Sequence, residues 1–392
     1  MPPNTAPSDP PRFDWNPIVI LSLVALLVLL GGLYVTERAQ QKNTPIAASP
    51  PGQSAPAAQP QYQWRMAVSW PKNFPGLGTA TENFARYVAE MSNGRLQIQV
   101  YGAGELVPAL GVFDAVSAGS VEMGHTAAYY HKGKIPAAPF FTAVPFGMNV
   151  LEQNAWLYYG GGLELWRDLY EPFGVIPFPG GNTGMQMAGW FNREIRSAAD
   201  IKGLKMRIPG MAGEVFSRLG GSAIAIPGSE LYTAMQTGVI DATEWVGPYN
   251  DRAFGLHEVG KHYYYPGWHE VSAGLEFDVN RAAWDSLPTD LQAMIRVAAQ
   301  AVNLDMTAEY IARNGVALRD LIEQEGIQPA QLPMELLGDL RRVALQYYAD
   351  QAARDPDFAR IYTAYRRFQA ETHQWMRMSE QVVFEYREAL GD

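Results

Sequence analysis

The chain has 392 residues, enough for two globular units and further segments, and 47% of it is apolar and 12% aromatic, as in a folded body rather than a disordered one. Lys plus Arg number 30 against 40 Asp plus Glu, and the net charge of −10 disfavours a surface that tracks phosphates, so nucleic acid is a poor partner. The lack of cysteine removes disulfides, thiolate catalysis, Cys-ligated zinc and a lipid-modified N-terminal cysteine, without identifying the compartment. Residues 1–17 form a short tail containing Asp9, Arg12 and Asp14. Residues 18–35, IVILSLVALLVLLGGLYV, carry no charge and at ~1.5 Å per residue nearly match a hydrocarbon core of ~30 Å, which predicts one transmembrane helix. A cleaved secretory signal fits less well, because no basic region precedes the apolar run and VTERAQQK follows it where a small-x-small site would stand. Arg38 and Lys42 after the run, against Arg12 before it, bias the C-terminal side toward the cytoplasm. Residues 36–61, rich in Pro, Ala, Gln and Ser, read as a partly extended spacer that leads to a body at 62–392.

The body opens with a strand pattern (WRMAVSW), an amphipathic helix (TATENFARYVAEMSNG) closed by Asn93-Gly94, and a second strand (RLQIQVYG), the βαβ start of an α/β protein. Two later segments match each other in plan. Residues 113–130 and 232–249 each give a short helix, a glycine (Gly119, Gly238) suited to a left-handed C-cap, a short strand with an acidic residue, and a polar, aromatic tip. One such unit per lobe predicts two tips lining a shared cleft, because open α/β sheets take ligands at their strand ends. Beyond Asn280 the period is helical almost without a break, with Pro288 near a helix start, and a last charged helix covers roughly residues 358–390.

Residues 202–245, KGLKMRIPGMAGEVFSRLGGSAIAIPGSELYTAMQTGVIDATEW, resemble the core signature of TRAP (tripartite ATP-independent periplasmic) transporter solute receptors: a Gly-Leu-Lys-x-Arg strand, a helix, a strand leading to Pro, and a helix ending in Gly-x-x-Asp. AVSAGSVEMGHT and PAAPFFTAVPFGM look like the first-lobe equivalents, so the resemblance covers about 63–392. GNTGMQMAGWF, DATEWVGPYND and GWHEVSAGLEF narrow it to the 2-oxo acid (pyruvate-type) receptors. The resemblance implies an α/β, two-lobed periplasmic-binding-protein-like fold with hinge-crossing segments and a long C-terminal helix. Lobe 1 would take about 62–180 plus returning segments, lobe 2 about 181–280, and C-terminal helices 281–392. It also implies a periplasmic body, against the charge bias around the apolar run, either anchored in the inner membrane or released if the N-terminal segment is cleaved.

A guanidinium on a rigid strand meets a carboxylate with two parallel hydrogen bonds, and in KMRIP alternation turns Lys205 and Arg207 to one face. Glu244 and Glu270 sit beside Trp245 and His269; two carboxylates facing one closed cleft with an anion would repel, and a hard cation with oxygen ligands resolves the conflict. The resemblance implies that sodium or calcium bridges the solute and is held by Gln186, Glu244, the backbone oxygen of Trp245, and Glu270. The substrate set expected from it is Arg207, Gln186, Tyr130, Trp245 and Asn182, with Tyr129 and Trp190 as further aromatic candidates for the cleft wall. The small and large membrane subunits of a TRAP permease are the expected partners, and a homodimer through the C-terminal helix is a further expectation. A receptor for lactate or another hydroxy acid with calcium, and a membrane-anchored sensory protein, are the alternatives.

No enzyme is expected. HEVGKH (His257, His262) approaches the zincin pattern, but its i, i+5 spacing turns the second ring about 140° away at 3.6 residues per turn. The Gly-rich runs YYGGGLELW and PFPGGNTG lack the Lys-Ser/Thr of a phosphate loop and the spacing of a dinucleotide site.

Overall fold

The computed structural model describes residues 61–391. The tail, the apolar run and nearly all of the spacer, with the membrane-helix expectation for residues 18–35, lie outside the described residues. Among the described residues no helix is long and apolar enough to cross a membrane.

Strands β1 (Tyr62–Val68) and β2 (Leu96–Tyr101) pair in parallel, joined by the helix Leu77–Met91. That helix buries Leu77, Thr81, Phe84 and Val88, one stripe at helical spacing, and Phe84 stacks on Phe277 of the sheet at 4.1 Å. It ends where expected: Asn93 and Gly94 take positive φ, and the Gly94 amide donates to the Ala89 carbonyl. With β3 (Met123–Thr126), β4 (Val175–Asn182) and β10 (Gly274–Asn280) these strands make a five-stranded sheet in the order β2-β1-β3-β10-β4. A six-stranded sheet, β11-β9-β5-β8-β6-β7, is built from β5 (Gly189–Phe191), β6 (Lys205–Arg207), β7 (Ser222–Ile224), β8 (Ala242–Thr243), β9 (His262–Tyr265) and β11 (Ala330–Gln331).

The two matching units occupy equivalent places. The helix Val112–Ser117, Gly119 at φ +70° and β3 lie in the first sheet, where β3 runs parallel to β1 and antiparallel to β10. The helix Leu231–Gln236, Gly238 at φ +73° and β8 lie in the second, where β8 runs parallel to β6 and antiparallel to β5.

Two stretches cross between the sheets side by side, from β4 to β5 and from β9 to β10. The Thr183 amide donates to the Ala273 carbonyl (3.1 Å), the Gln186 amide to Glu270 (3.2 Å) and the Gly267 amide to Gln186 (2.9 Å). A Cβ on Gly267 would lie 2.3 Å from the Gln186 carbonyl oxygen, so the approach requires glycine there.

Because β10 is hydrogen-bonded between β3 and β4, residues 274–280 belong to the first sheet, and the lobe boundary expected at 280 moves back to Gly274. The helical period after Asn280 is also interrupted. A short helix, Arg281–Asp285, precedes Pro288, which caps the 35-residue helix Thr289–Glu323. This helix packs on β4 and Leu77–Met91 and, further along its length, on Pro248–Ala253. The helices Met334–Ala352 and Pro356–Met376 follow, and the chain continues through Arg377–Gln381 into Val382–Leu390.

Candidate functional site

The ends of β6 and β8, the tip after β3, the turn after β1 and the two crossing stretches converge on Arg207. The guanidinium is 1% exposed. Its Nε donates to the Ile226 carbonyl (3.3 Å), Nη2 to the Tyr130 hydroxyl (3.2 Å), and Nη1 to the Glu244 carbonyl (3.3 Å) and to the Glu244 carboxylate in a short ion pair. Trp245 lies beneath it, with the guanidinium carbon 5.1 Å from the ring centroid. Tyr130 comes from the tip of the first unit and Glu244-Trp245 from the tip of the second, so the two tips meet. Strand alternation proved incomplete, since Lys205 is exposed and bonds the Gly238 carbonyl while Arg207, at the strand end, is sealed in.

Glu244, His269 and Glu270 are buried together, each offering one ligating atom within 4.8 Å of the others. The Oε2 atoms of Glu244 and Glu270, Oε1 of Gln186 and both ring nitrogens of His269 are buried without hydrogen-bond partners. Gln186 is steered by its Nε2, which donates to the Thr183 hydroxyl (3.0 Å). Orphaned carboxylate and amide oxygens, converging from three segments, form a donor set that fits a hard cation.

Burial, reinforced by the Glu244 charge, pushes the Glu270 carboxyl well above its ordinary range. Burial is the largest single influence on Arg207 and would lower its value, but Glu244, with Tyr130, Tyr129 and Glu270 adding to it, raises it on balance. Burial also raises the Tyr129 and Tyr130 hydroxyls, so both stay protonated and able to donate.

Of the residues read from sequence, Arg207, Tyr130, Glu244, Trp245, Gln186 and Glu270 fall in this one buried region. Asn182 lies at the start of a crossing stretch: its Nδ2 donates to the Ser272 hydroxyl (3.0 Å) and its Oδ1 accepts from the Gly184 amide (2.8 Å), so the side chain ties the two stretches together. Trp190 stacks on Tyr263 (4.0 Å) and donates to Asp251 (3.0 Å), away from Arg207. His257 stands on the short helix Leu256–Val259 and His262 on β9, so no single helical face carries both.

Two neighbours escaped sequence reasoning. Trp70, in the turn after β1, sits 6.5 Å from both Tyr130 and Trp245, and its Nε1 donates to His125 (2.7 Å). His269 was read only as a neighbour of Glu270, yet its Nε2 is 3.5 Å from Glu244 Oε2. The signal for Trp70 was available, since it ends a strand as the other aromatic tips do; the position of His269 depends on the crossing geometry.

The model of the bacterial extracellular solute-binding proteins, family 7, matches residues 66–355. A monocarboxylate 2-oxoacid-binding periplasmic protein of a Nostoc species is 45% identical over 83% of this chain and 89% of its own length. A TRAP periplasmic solute-binding protein of Pseudoalteromonas atlantica with bound sodium and pyruvate superposes with a TM-score of 0.81 at 45% identity, covering 83% of this chain and 98% of that one. A TRAP periplasmic solute-binding protein of Colwellia psychrerythraea with bound calcium and pyruvate gives 0.81 at 44% identity, over 83% and 99%. The two-sheet architecture, the crossing stretches and these matches agree: the chain belongs to the bacterial extracellular solute-binding proteins of family 7, and is a binding protein rather than an enzyme.

Proposed function

We propose that this chain is the extracytoplasmic solute receptor of a TRAP transporter, that its solute is a small 2-oxo monocarboxylate, pyruvate or a longer homologue, and that the solute is held together with sodium or calcium. One observation carries the reading: a sealed guanidinium, Arg207, stands beside a nest of orphaned oxygens from Gln186, Glu244 and Glu270. The first suits a carboxylate fork and the second a hard cation. Relatives about 45% identical hold pyruvate with sodium or with calcium, which supports the pairing.

In this reading Arg207 and Tyr130 take the carboxylate, Trp70 and Trp245 wall the site, and Gln186, Glu244, the Trp245 backbone oxygen and Glu270 hold the cation. The cation would balance the solute's charge. Asn182 acts through the crossing stretches. No covalent step is required; binding stabilises the closed arrangement of the lobes, which docks on the small and large permease subunits.

Calorimetric titration of the chain in detergent, stripped of solute by unfolding and refolding, tests this. Pyruvate, longer 2-oxo acids and lactate are each added with sodium, calcium or potassium. We expect micromolar binding of a 2-oxo acid that requires sodium or calcium; binding of lactate alone would favour the hydroxy-acid alternative, and no binding in any arm would sink the carboxylate reading.

Two further assignments belong to the same proposal. Residues 18–35 anchor the receptor in the inner membrane with the body in the periplasm, raising its concentration near the permease; recovery of the full chain in a soluble periplasmic fraction would remove the anchor. The last helix exposes Trp375, Met378, Phe384 and Leu390 and pairs two copies. A monomeric mass by light scattering for the full chain would remove that contact.

A further inference from the structure

We infer that Glu244 is a built-in competitor for Arg207, so that a carboxylate solute gains the guanidinium only when a cation has taken Glu244. The inference rests on the carboxylate-and-cation reading above and adds to it an exchange of partners that makes the two ligands obligatory for one another.

All three guanidinium nitrogens of Arg207 are already engaged: Nε with Ile226, Nη2 with Tyr130, and Nη1 with both the backbone oxygen and the side chain of Glu244. A carboxylate that meets the fork through two parallel bonds must displace a partner. The Glu244 side chain is the only charged one among them. Arg207 and Glu244 sum to zero in a region sealed from water, and an entering carboxylate would add an uncompensated negative charge there, which is costly to bury.

Glu244 is also placed to change allegiance. Its Oε1 is on Arg207, while its Oε2 has no hydrogen-bond partner and lies among the ligating atoms of His269 and Glu270. One side chain therefore spans the carboxylate fork and the oxygen nest. Its backbone is held throughout: the Glu244 carbonyl accepts from Arg207 Nη1 and from the Thr243 hydroxyl (2.9 Å), so a rotation of the carboxylate suffices and the strand end need not move. Glu270 joins the nest without a hydrogen bond to Arg207, so it serves as a comparison for loss of a cation ligand that is not a hydrogen-bond partner of the guanidinium.

The experiment is titration of pyruvate into the wild-type chain, Glu244→Gln and Glu270→Gln, each in a chelated tetramethylammonium buffer and again with sodium or calcium. Thermal melts establish that each variant is folded. In the wild type, removing the cation should weaken pyruvate binding by about 100-fold, near the upper end of ordinary coupling between sites, and pyruvate should strengthen cation binding by the same factor. Glu244→Gln removes the competitor, so its cation-free affinity should rise about tenfold above wild type while the benefit of added cation shrinks to about threefold or less. Glu270→Gln should keep the coupling and merely need more cation. A gain in cation-free affinity is something a plain ligand role for Glu244 cannot produce. A Glu244→Gln variant with cation-free affinity no better than wild type, still rescued by cation, would overturn the exchange. So would wild-type binding of pyruvate in cation-free buffer within about threefold of its affinity with cation, a result that needs no variant and leaves the receptor reading intact. Absence of pyruvate binding in every arm would instead overturn the receptor reading and the exchange with it.

Discussion

Among the described residues two buried clusters share one side-chain inventory, one histidine and two carboxyls, and differ in the charges that surround them. Glu244, His269 and Glu270 lie between the sheets beside Arg207. His131, Glu276 and Asp278 lie within the first lobe, on β10 and the turn Ala128–His131 that follows β3. Here His131 Nε2 meets Glu276 Oε1 (2.8 Å), the Tyr170 hydroxyl donates to Glu276 Oε2 (3.0 Å), and no Lys or Arg among the described residues forms an ion pair with either acid. Burial drives the Glu276 carboxyl up to about 8 and the His131 imidazole down to about 4, and it holds Asp278 well above the carboxylate range, with the Glu276 charge adding to the effect. In the first cluster Glu244 is paired with a guanidinium, although burial raises Glu270; in the second no cationic side chain among the described residues pairs with either acid, and burial favours their protonated forms. Grouping of residue types does not identify a ligand site. A nearby fixed counter-charge, together with orphaned oxygens from different segments, distinguishes the one that can exchange partners with a ligand.

Three substitutions would break or sharpen this contrast. The largest effect is expected from Arg207→Lys, which removes the fork but keeps a positive charge: solute affinity should fall by about 100-fold or more, read by calorimetry with saturating cation. Next is Glu270→Gln, which should weaken sodium or calcium binding by about tenfold, some 1.4 kcal/mol, with a smaller effect on solute affinity once cation is saturating. The smallest belongs to Asp278→Asn, which replaces an already neutral group. Solute and cation affinities should be unchanged, and the two proteins should be equally stable only below about pH 4, where the acid is neutral folded and unfolded, with the variant gaining on the wild type as pH rises.

The second cluster also predicts a pH dependence of stability. With Glu276 raised to about 8, the folded chain holds more protons than the unfolded chain between the ordinary carboxylate range and that value. The contribution is therefore complete below the ordinary carboxylate range and is lost progressively as pH rises to about 8. Melting temperatures from pH 5 to 8.5 should fall more steeply for the wild type than for Asp278→Asn, by about one proton of linkage. Parallel curves would mean that Asp278 does not share in this balance.

Much of the fold was legible because its signals are local. Helix caps at Asn93-Gly94, Gly119 and Gly238, the β1-helix-β2 opening and the paired tips all follow from neighbours in sequence. Arg207 and Glu244 could be selected because KMRIP and DATEWVGPYND resemble the receptor family's segments, and the chemistry of a strand-end arginine and a glutamate at an aromatic tip agrees with that resemblance. The acids of β10 could not be read this way. In GLEFDVN, Glu276 and Asp278 alternate with Phe277 and Val279, the pattern of a strand with one face in water. The structure covers both faces, with Phe84 stacked on Phe277 on one side and Tyr170 bonded to Glu276 on the other, and nothing local announces the second layer. The return of β10 to the first sheet was misplaced for the same reason, since pairing with β3 and β4 is a long-range fact.

The crossing stretches carry an evolutionary consequence. Gln186 and Glu270 are both proposed cation ligands and the rungs that hold the two stretches together, and Gly267 leaves no room for a side chain between them. Any side chain at Gly267 would push on the Gln186 backbone and so disturb the hinge and the neighbouring cation ligand at once, and few drifting sequences would survive it. Tyr130, Trp245 and Trp70 stand on separate tips and turns, where one can change without unfastening the others. Relatives that diverge in solute should therefore differ at these walls first, while the crossing stretches stay fixed as the inherited part of the receptor.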